Sequence, residues 1–254
     1  MPKKYIYISP HLDDVALSCG GLIYEQVKAG RKVEIWTVTA GIPDPQHMPE
    51  FGRVLNQRWG ISLEMLQTRQ EEDRAASKLL GAKPIHLGWL DCIYRFKADG
   101  DALIHNDDEL FEAQPEPELV REVSAYLVSH VPQNAKLISP LGIGRHIDHR
   151  LVVQAVAQSG LGGLYYADYP YVSYHFEWSE RLESREFRRI PQVITEEAVT
   201  AWQDAVLCNR SQLSTFWGNE GEARLALANY CAGGGGRLFS CHPEPAKDLS
   251  CKVL

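Results

Sequence analysis

The sequence predicts an α/β fold: a Rossmann-like, three-layer arrangement with a mainly parallel sheet and helices on both faces. Three observations carry this reading. Short β-branched and aromatic runs alternate with segments of helical spacing, and residues able to do chemistry cluster in turns that follow such runs and open such helices. A length of 254 residues with 44% hydrophobic content suffices for one sizeable core.

In chain order, Tyr5–Ser9 is the first strand-like run. Val15, Cys19, Leu22, Ile23 and Val27 then recur at helical spacing, and Gly30 offers a C-terminal cap. Lys32–Thr39 reads as the second strand, and Ala40–Gly60, with three prolines, as a long loop of the kind that shapes sites. Glu64–Leu80 is helical and stops at Gly81, and a third strand starts with Pro84–Leu87. Residues 91–115 are polar and irregular. The alternation continues with a helix at Glu116–Val131, a strand at Lys136–Ser139, a helix at Asp148–Gln158 and a strand at Leu164–Ala167. Phe187–Ile194 reads as a strand, and Glu196–Cys208 and Glu220–Tyr230 as helices. From Cys231 onward, four consecutive glycines, two prolines and no periodicity predict a flexible tail outside the main domain, which would span residues 1–230.

Charge and composition narrow the function classes. The net charge is −7, the 26 Lys and Arg residues form no stripe, and their densest group, Arg181–Arg189, is interleaved with glutamates. No basic face for nucleic acid is expected. Six cysteines stand singly, with no C-x-x-C pair, which argues against a zinc ribbon or a dithiol redox site. No run approaches the ~20 apolar residues of a membrane span, and the opening MPKKYIYISP lacks the apolar region and cleavage site of a secretory leader. The expectation is a cytoplasmic protein, with self-association left open.

Two clusters carry the chemistry. Ser9-Pro10-His11-Leu12-Asp13-Asp14 follows the first strand and precedes a helix; Gly144-Arg145-His146-Ile147-Asp148-His149 follows the strand at 136–139 and opens another helix. Both lie at carboxyl ends of strands, where open α/β sheets bind ligands. Imidazole with carboxylate suits zinc, and also ferrous iron or cobalt. A catalytic metal takes three protein ligands and leaves one position open, and hydrolysis needs an unliganded carboxylate nearby. His11, Asp13, Asp14, His146, Asp148 and His149 supply that demand with groups to spare. Taken alone, either cluster also fits helix N-capping or a solvated turn histidine.

The run SPHLDDVALSCGG resembles the P-H-P-D-D-E…G-G signature of the LmbE-like superfamily, the PIG-L type de-N-acetylases. GRHIDHRLV resembles that family's G-H-P-D-H-x-x-V motif. TRQEEDRAASKLLGAKPIHLGWLD resembles its R-x-x-E…A-A…L-G…L-G-x-x-D stretch, with Arg69, Glu72 and Asp91 as the charged members, and Ser211-Gln212 resembles a late Ser-Gln pair. Leu12, Val15 and Ile147 depart from the pattern, where the family has proline, an acid and proline. None is a ligand position, so they bear on substrate and loop shape.

The resemblance implies a metal-dependent hydrolase that removes an N-acetyl group from an amino-sugar conjugate of N-acetylglucosamine type, a small-molecule substrate. It implies that His11, Asp14 and His149 bind the metal, Zn²⁺ or another divalent ion such as Fe²⁺. Asp13 would be the general base and His146 an oxyanion donor or general acid. Asp148 would orient His146 or simply cap its helix, and Arg69 and Asp91 would contact substrate, their plainer readings being a solvated charge and a turn residue. His86, and the tyrosines at 165, 166, 169, 171 and 174, read as packing residues. Two alternatives keep the same metal site: an amidase of a thiol or antibiotic conjugate, and a non-catalytic metal- or sugar-binding protein. A dinucleotide-binding module fits less well, because Cys19-Gly20-Gly21 lies inside a helical pattern and not in a G-x-G-x-x-G turn.

Overall fold

In the computed structural model, residues 4–62, 67–183 and 187–241 are described. The chain runs β1 (Lys4–Ser9), α1 (Asp14–Lys28), β2 (Lys32–Thr37), α2 (Glu50–Arg58), α3 (Thr68–Leu79) and β3 (Lys83–His86). A single 3-10 turn at Cys92–Tyr94 leads to α4 (Glu109–Glu112), α5 (Pro117–His130), β4 (Ala135–Pro140), α6 (Ile147–Ser159) and β5 (Leu164–Tyr166). The C-terminal part comprises α7 (Phe176–Glu183), β6 (Phe187–Arg189), α8 (Glu196–Val206), α9 (Arg210–Phe216), α10 (Glu220–Ala232) and β7 (Leu238–Cys241).

One sheet holds the strands in the order β3-β2-β1-β4-β5-β7-β6. The pairs among β3, β2, β1, β4 and β5 are parallel; β7 runs antiparallel to both β5 and β6. The alternation within β1 divides the core. Tyr5 and Tyr7 pack with Val15, Cys19, Ile23 and Leu80 from α1 and the α3 end, and with Ala205 of α8. Ile6 and Ile8 point the other way, to Val123 and Leu127 of α5 and Leu151 and Val152 of α6. Because both faces are covered, β1 reads as a nearly continuous apolar run, as parallel strands do. Among the described residues no helix is long and apolar enough to cross a membrane.

The expected elements from β1 to β5 are present, with instructive differences. The segment 40–60 contains α2: Gly52, Asn56 and three preceding prolines depress local propensity, but burial of Phe51 and Leu55 overrides it. The irregular stretch 91–115 contains the 3-10 turn and α4. The expected start of the third helix at Glu64 lies outside the described residues. The strand expected over 187–194 ends at Arg189, and Pro191, which has no N–H to donate, follows closely.

The tail expected from Cys231 is corrected over its first part. Residues 231 and 232 complete α10, and Gly234 (φ +91) and Gly236 (φ +75) turn the chain back so that Leu238 and Phe239 are buried between β5 and β6. Arg237 fastens this turn by donating to the carbonyls of Cys231, Gly235 and Gln192. Residues 242–254 lie outside the described part.

The glycine pair inside α1 serves packing. A Cβ on Gly20 would stand 2.3 Å from Cδ1 of Trp202, whose indole N–H donates to the Ala16 carbonyl at 2.6 Å. Trp202 is fully buried and lies on α8, so α8 reaches the backbone of α1 only where side chains are missing. Gly20→Ala is expected to destabilise by about 1–3 kcal/mol through overpacking, although helix propensity alone would favour alanine by about 1 kcal/mol. Thermal denaturation checks this, and an unchanged or raised Tm would refute it.

Candidate active site

The order β3-β2-β1-β4-β5 puts β1 beside β4 in mid-sheet, and the helices that follow them leave to opposite faces. Their carboxyl ends therefore open a crevice, and both histidine–aspartate clusters line it. After β1, the Ser9 hydroxyl donates to the His11 carbonyl at 2.7 Å, and the Thr39 hydroxyl clamps the Pro10 carbonyl at 2.8 Å. After β4, the backbone turns through left-handed Gly142, Gly144 and Arg145 before α6. His146 caps α6, its Nδ1 accepting from the Asp148 N–H at 3.3 Å.

The Asp14 carboxylate lies between two imidazoles: His11 Nδ1 is 3.2 Å from Oδ2 and His149 Nε2 is 3.3 Å from Oδ1. The far nitrogen of each ring is occupied. His11 Nε2 pairs with Asp148 Oδ2 at 3.1 Å, and His149 Nδ1 with Asp168 Oδ1 at 2.6 Å. With the far N–H of each ring held by a carboxylate, the two nitrogens facing Asp14 are those that would turn lone pairs to a metal on giving up their protons, the arrangement that metal-binding histidines use. His149 Nε2 is buried and makes no hydrogen bond. The nitrogens of His11, His146 and His149 approach within 4.8 Å of one another. These residues fit a divalent metal held by His11, Asp14 and His149. Two other nearby groupings both include Asp148, but its carboxylate is already engaged by the Arg95 guanidinium and the Cys92 N–H.

Electrostatics agree with a cationic occupant. Burial opposes charge on His11 and His149, yet the aspartates around them win: Asp91, Asp14 and Asp148 hold His11 well above the ordinary histidine value, and Asp14 and Asp168 raise His149 to about 9. Burial likewise opposes ionisation of Asp14, but His149 and His11 keep it well below the carboxylate range. His146 behaves differently: burial and then the charge on His11 keep it neutral, well below its usual value. Burial and the Asp14 charge raise Asp13 to about 6, with Arg69 and His11 pulling the other way.

A cavity of about 430 Å³ opens over this cluster and is lined by His11, Asp13, Asp14, Arg69, Asp91 and His146 among others. Arg69, in the first turn of α3, stacks its guanidinium 5.0 Å over the Trp59 ring and faces Asp91 Oδ2 at 3.7 Å. Asp91 is buried and caps the 3-10 turn, accepting from the Ile93 N–H at 3.3 Å. All eight residues expected at the site thus converge.

Asp148 orients a different ring from the one expected. Its carboxylate serves His11, Arg95 and the Cys92 N–H, while His146 is fixed by the Asp148 backbone. The side chain points across to β1 because α6 begins with its N-cap at His146, two residues earlier. Asp168 and Arg95 were not anticipated. Asp168 stands two residues beyond β5, a third strand end where an acid was a readable signal, whereas Arg95 lies in an irregular stretch without one. His86 is a packed histidine, paired with Asp73 at 2.7 Å. Tyr166 and Tyr169 belong to the core, but Tyr171 lines the cavity and packs its ring 5.4 Å from His149.

Metal analysis of the purified protein is expected to give one divalent ion, lost in His11→Ala and in His149→Ala. Asp168→Asn should weaken metal affinity by about 10–100-fold without abolishing it. Titration with a chelator measures this, and full occupancy in both histidine variants would exclude the ligand assignment.

The chain resembles several known proteins. Residues 6–159 match the PIG-L family model, GlcNAc-PI de-N-acetylase. The chain is 27% identical over 243 residues to a 2'-N-acetylparomamine deacetylase of Niallia circulans, covering 88% of this chain and 86% of that protein. A second 2'-N-acetylparomamine deacetylase, of Streptomyces fradiae, is 30% identical over 176 residues, 66% of this chain and 57% of its own length. The crystal structure of the zinc-inhibited form of teicoplanin deacetylase Orf2 superimposes with a TM-score of 0.76 at 26% identity, covering 96% of this chain and all of that one.

Proposed function

The chain belongs to the PIG-L, GlcNAc-PI de-N-acetylase, family, and from that premise we propose that it is a zinc-dependent N-deacetylase of a 2-acetamido sugar carried on a larger aglycone. The observation that carries this is the Asp14 carboxylate set between His11 and His149, whose far nitrogens are held by Asp148 and Asp168. The similar proteins named as deacetylases of 2'-N-acetylparomamine and of teicoplanin support the substrate class.

His11, Asp14 and His149 would hold a divalent metal there, and that ion would supply polarisation of the amide carbonyl and a lowered pKa, towards ~7, for water. Asp13 takes the proton from the attacking water. Its adjacency to Asp14 and its burial fit that role, since a carboxylate raised to about 6 accepts a proton well while remaining ionised at neutral pH. His146 acts on the developing oxyanion. Because its Nδ1 accepts the Asp148 N–H, its proton resides on Nε2, and burial keeps the ring neutral, so it donates a hydrogen bond without competing for the cationic position. The amine then leaves on protonation, with Asp13 returning the proton. Arg69 and Asp91, which both line the cavity beside Asp13, hold sugar hydroxyls.

Acetate release from N-acetylglucosamine conjugates by metal-loaded and chelator-treated protein tests the activity. Asp13→Asn is expected to keep its metal and lose about 10²–10⁴ in kcat. His146→Ala should lower kcat and kcat/KM together by about 10²-fold at unchanged metal content. Loss of metal from Asp13→Asn but not from Asp14→Asn would reverse the two aspartate roles.

A further inference from the structure

We propose that the outer half of the cavity is a subsite for an apolar, preferably aromatic, group on the aglycone side of the sugar, an inference that rests on the N-deacetylase reading above. Three separate segments build this wall. Leu55 and Trp59, one turn apart, come from α2 and its C-terminal cap; Leu110 and Phe111 from α4; and Phe216 from the end of α9. Leu55, Trp59 and Leu110 rest on the cluster formed by Met48, Phe51, Ile93 and Ile147, and Phe216 rests on the cluster that contains Val206 and Leu227. Phe111 remains 38% exposed. An apolar patch left in water beside a polar floor marks a ligand groove.

The wall is continuous with the reaction centre at both ends. The Phe111 ring meets His146 edge to face at 5.7 Å, and Trp59 carries the Arg69 guanidinium at 5.0 Å. A sugar held by Arg69 and Asp91 over Asp13 therefore directs its substituents along these rings. Charge on the wall is balanced internally: Arg58 Nη1 donates to both oxygens of Asp107, at 2.9 and 3.0 Å. Among the described outer-wall residues Asp107 is the only acid, so the wall offers no unpaired carboxylate to an ammonium group. An aromatic aglycone finds stacking surfaces along this wall and loses apolar area to water.

The test compares kcat/KM of the metal-loaded, full-length protein for the methyl, phenyl and aminocyclitol glycosides of N-acetylglucosamine, following release of the free amine. The phenyl glycoside is expected to exceed the methyl by at least about tenfold, mainly through KM, as burial of one ring allows. The aminocyclitol glycoside should not exceed the methyl. Phe111→Ala should bring the phenyl-to-methyl ratio to within roughly twofold of one, while Phe111→Leu keeps most of it; Phe111 is exposed, so both variants should fold. A flat ratio in the wild type, a ratio unchanged by Phe111→Ala, or preference for the aminocyclitol overturns the subsite alone. No release from any glycoside overturns the N-deacetylase reading, and the subsite with it.

Discussion

The Asp14 carboxylate is buried, accepts the His11 N–H at 2.8 Å, and faces one imidazole nitrogen on each side. A buried charge without compensation is worth several kcal/mol of destabilisation, so its surroundings are constrained outward in steps. Two imidazoles supply the nearest compensation. Each of these carries a carboxylate on its far side, Asp148 and Asp168, and Asp148 in turn requires Arg95. Charge thus alternates from Arg95 through Asp148, His11, Asp14 and His149 to Asp168, across the ends of three strands. The segment after β1 carries two members of this single electrostatic chain, His11 and Asp14, the start of α6 carries two, Asp148 and His149, and the residues beyond β5 carry Asp168.

How much of this was legible follows from the range of each interaction. The strand and helix pattern from β1 to β5 is local, as are the two clusters at strand ends, and both were readable. Arg69 and Asp91 were readable only through resemblance, because neither has a spacing that marks it. Asp168 and Arg95 act through contacts 19 and 53 residues away in sequence, which no periodicity encodes. The helix α2 was hidden because its glycine and asparagine are chosen for contact: Gly52 packs under the Ile93 carbonyl, and Asn56 accepts from the Tyr94 hydroxyl at 2.6 Å. Composition read there as a loop, and tertiary contact made a helix.

The departures from the family's motifs gain a physical meaning in the structure. Ile147, where the family has proline, is fully buried in the cluster that also contains Phe51 and Leu55. The second motif therefore does two things with adjacent residues, presenting His146 and Asp148 to the reaction centre and anchoring the helix that forms the outer wall. Glu72 couples another wall in the same way. It accepts from the Ser211 hydroxyl at 2.6 Å and the Ser211 N–H at 3.0 Å, tying α9 to the helix that bears Arg69.

The position of β7 has a bearing on how such a chain comes off the ribosome. Spatially it is an interior strand, flanked by β5 and β6, although it follows every other described element in sequence. The strands β1 to β5 lie within the first 170 residues or so and can pair in the order of synthesis, although the face that bears Tyr5 and Tyr7 waits for Ala205 of α8. β6, by contrast, pairs among the described residues with β7 alone, and the β5 edge that β7 takes waits for residues 238–241. During translation that edge is open to any extended segment at hand, the hazard that unpaired strand edges carry in a chain still being made.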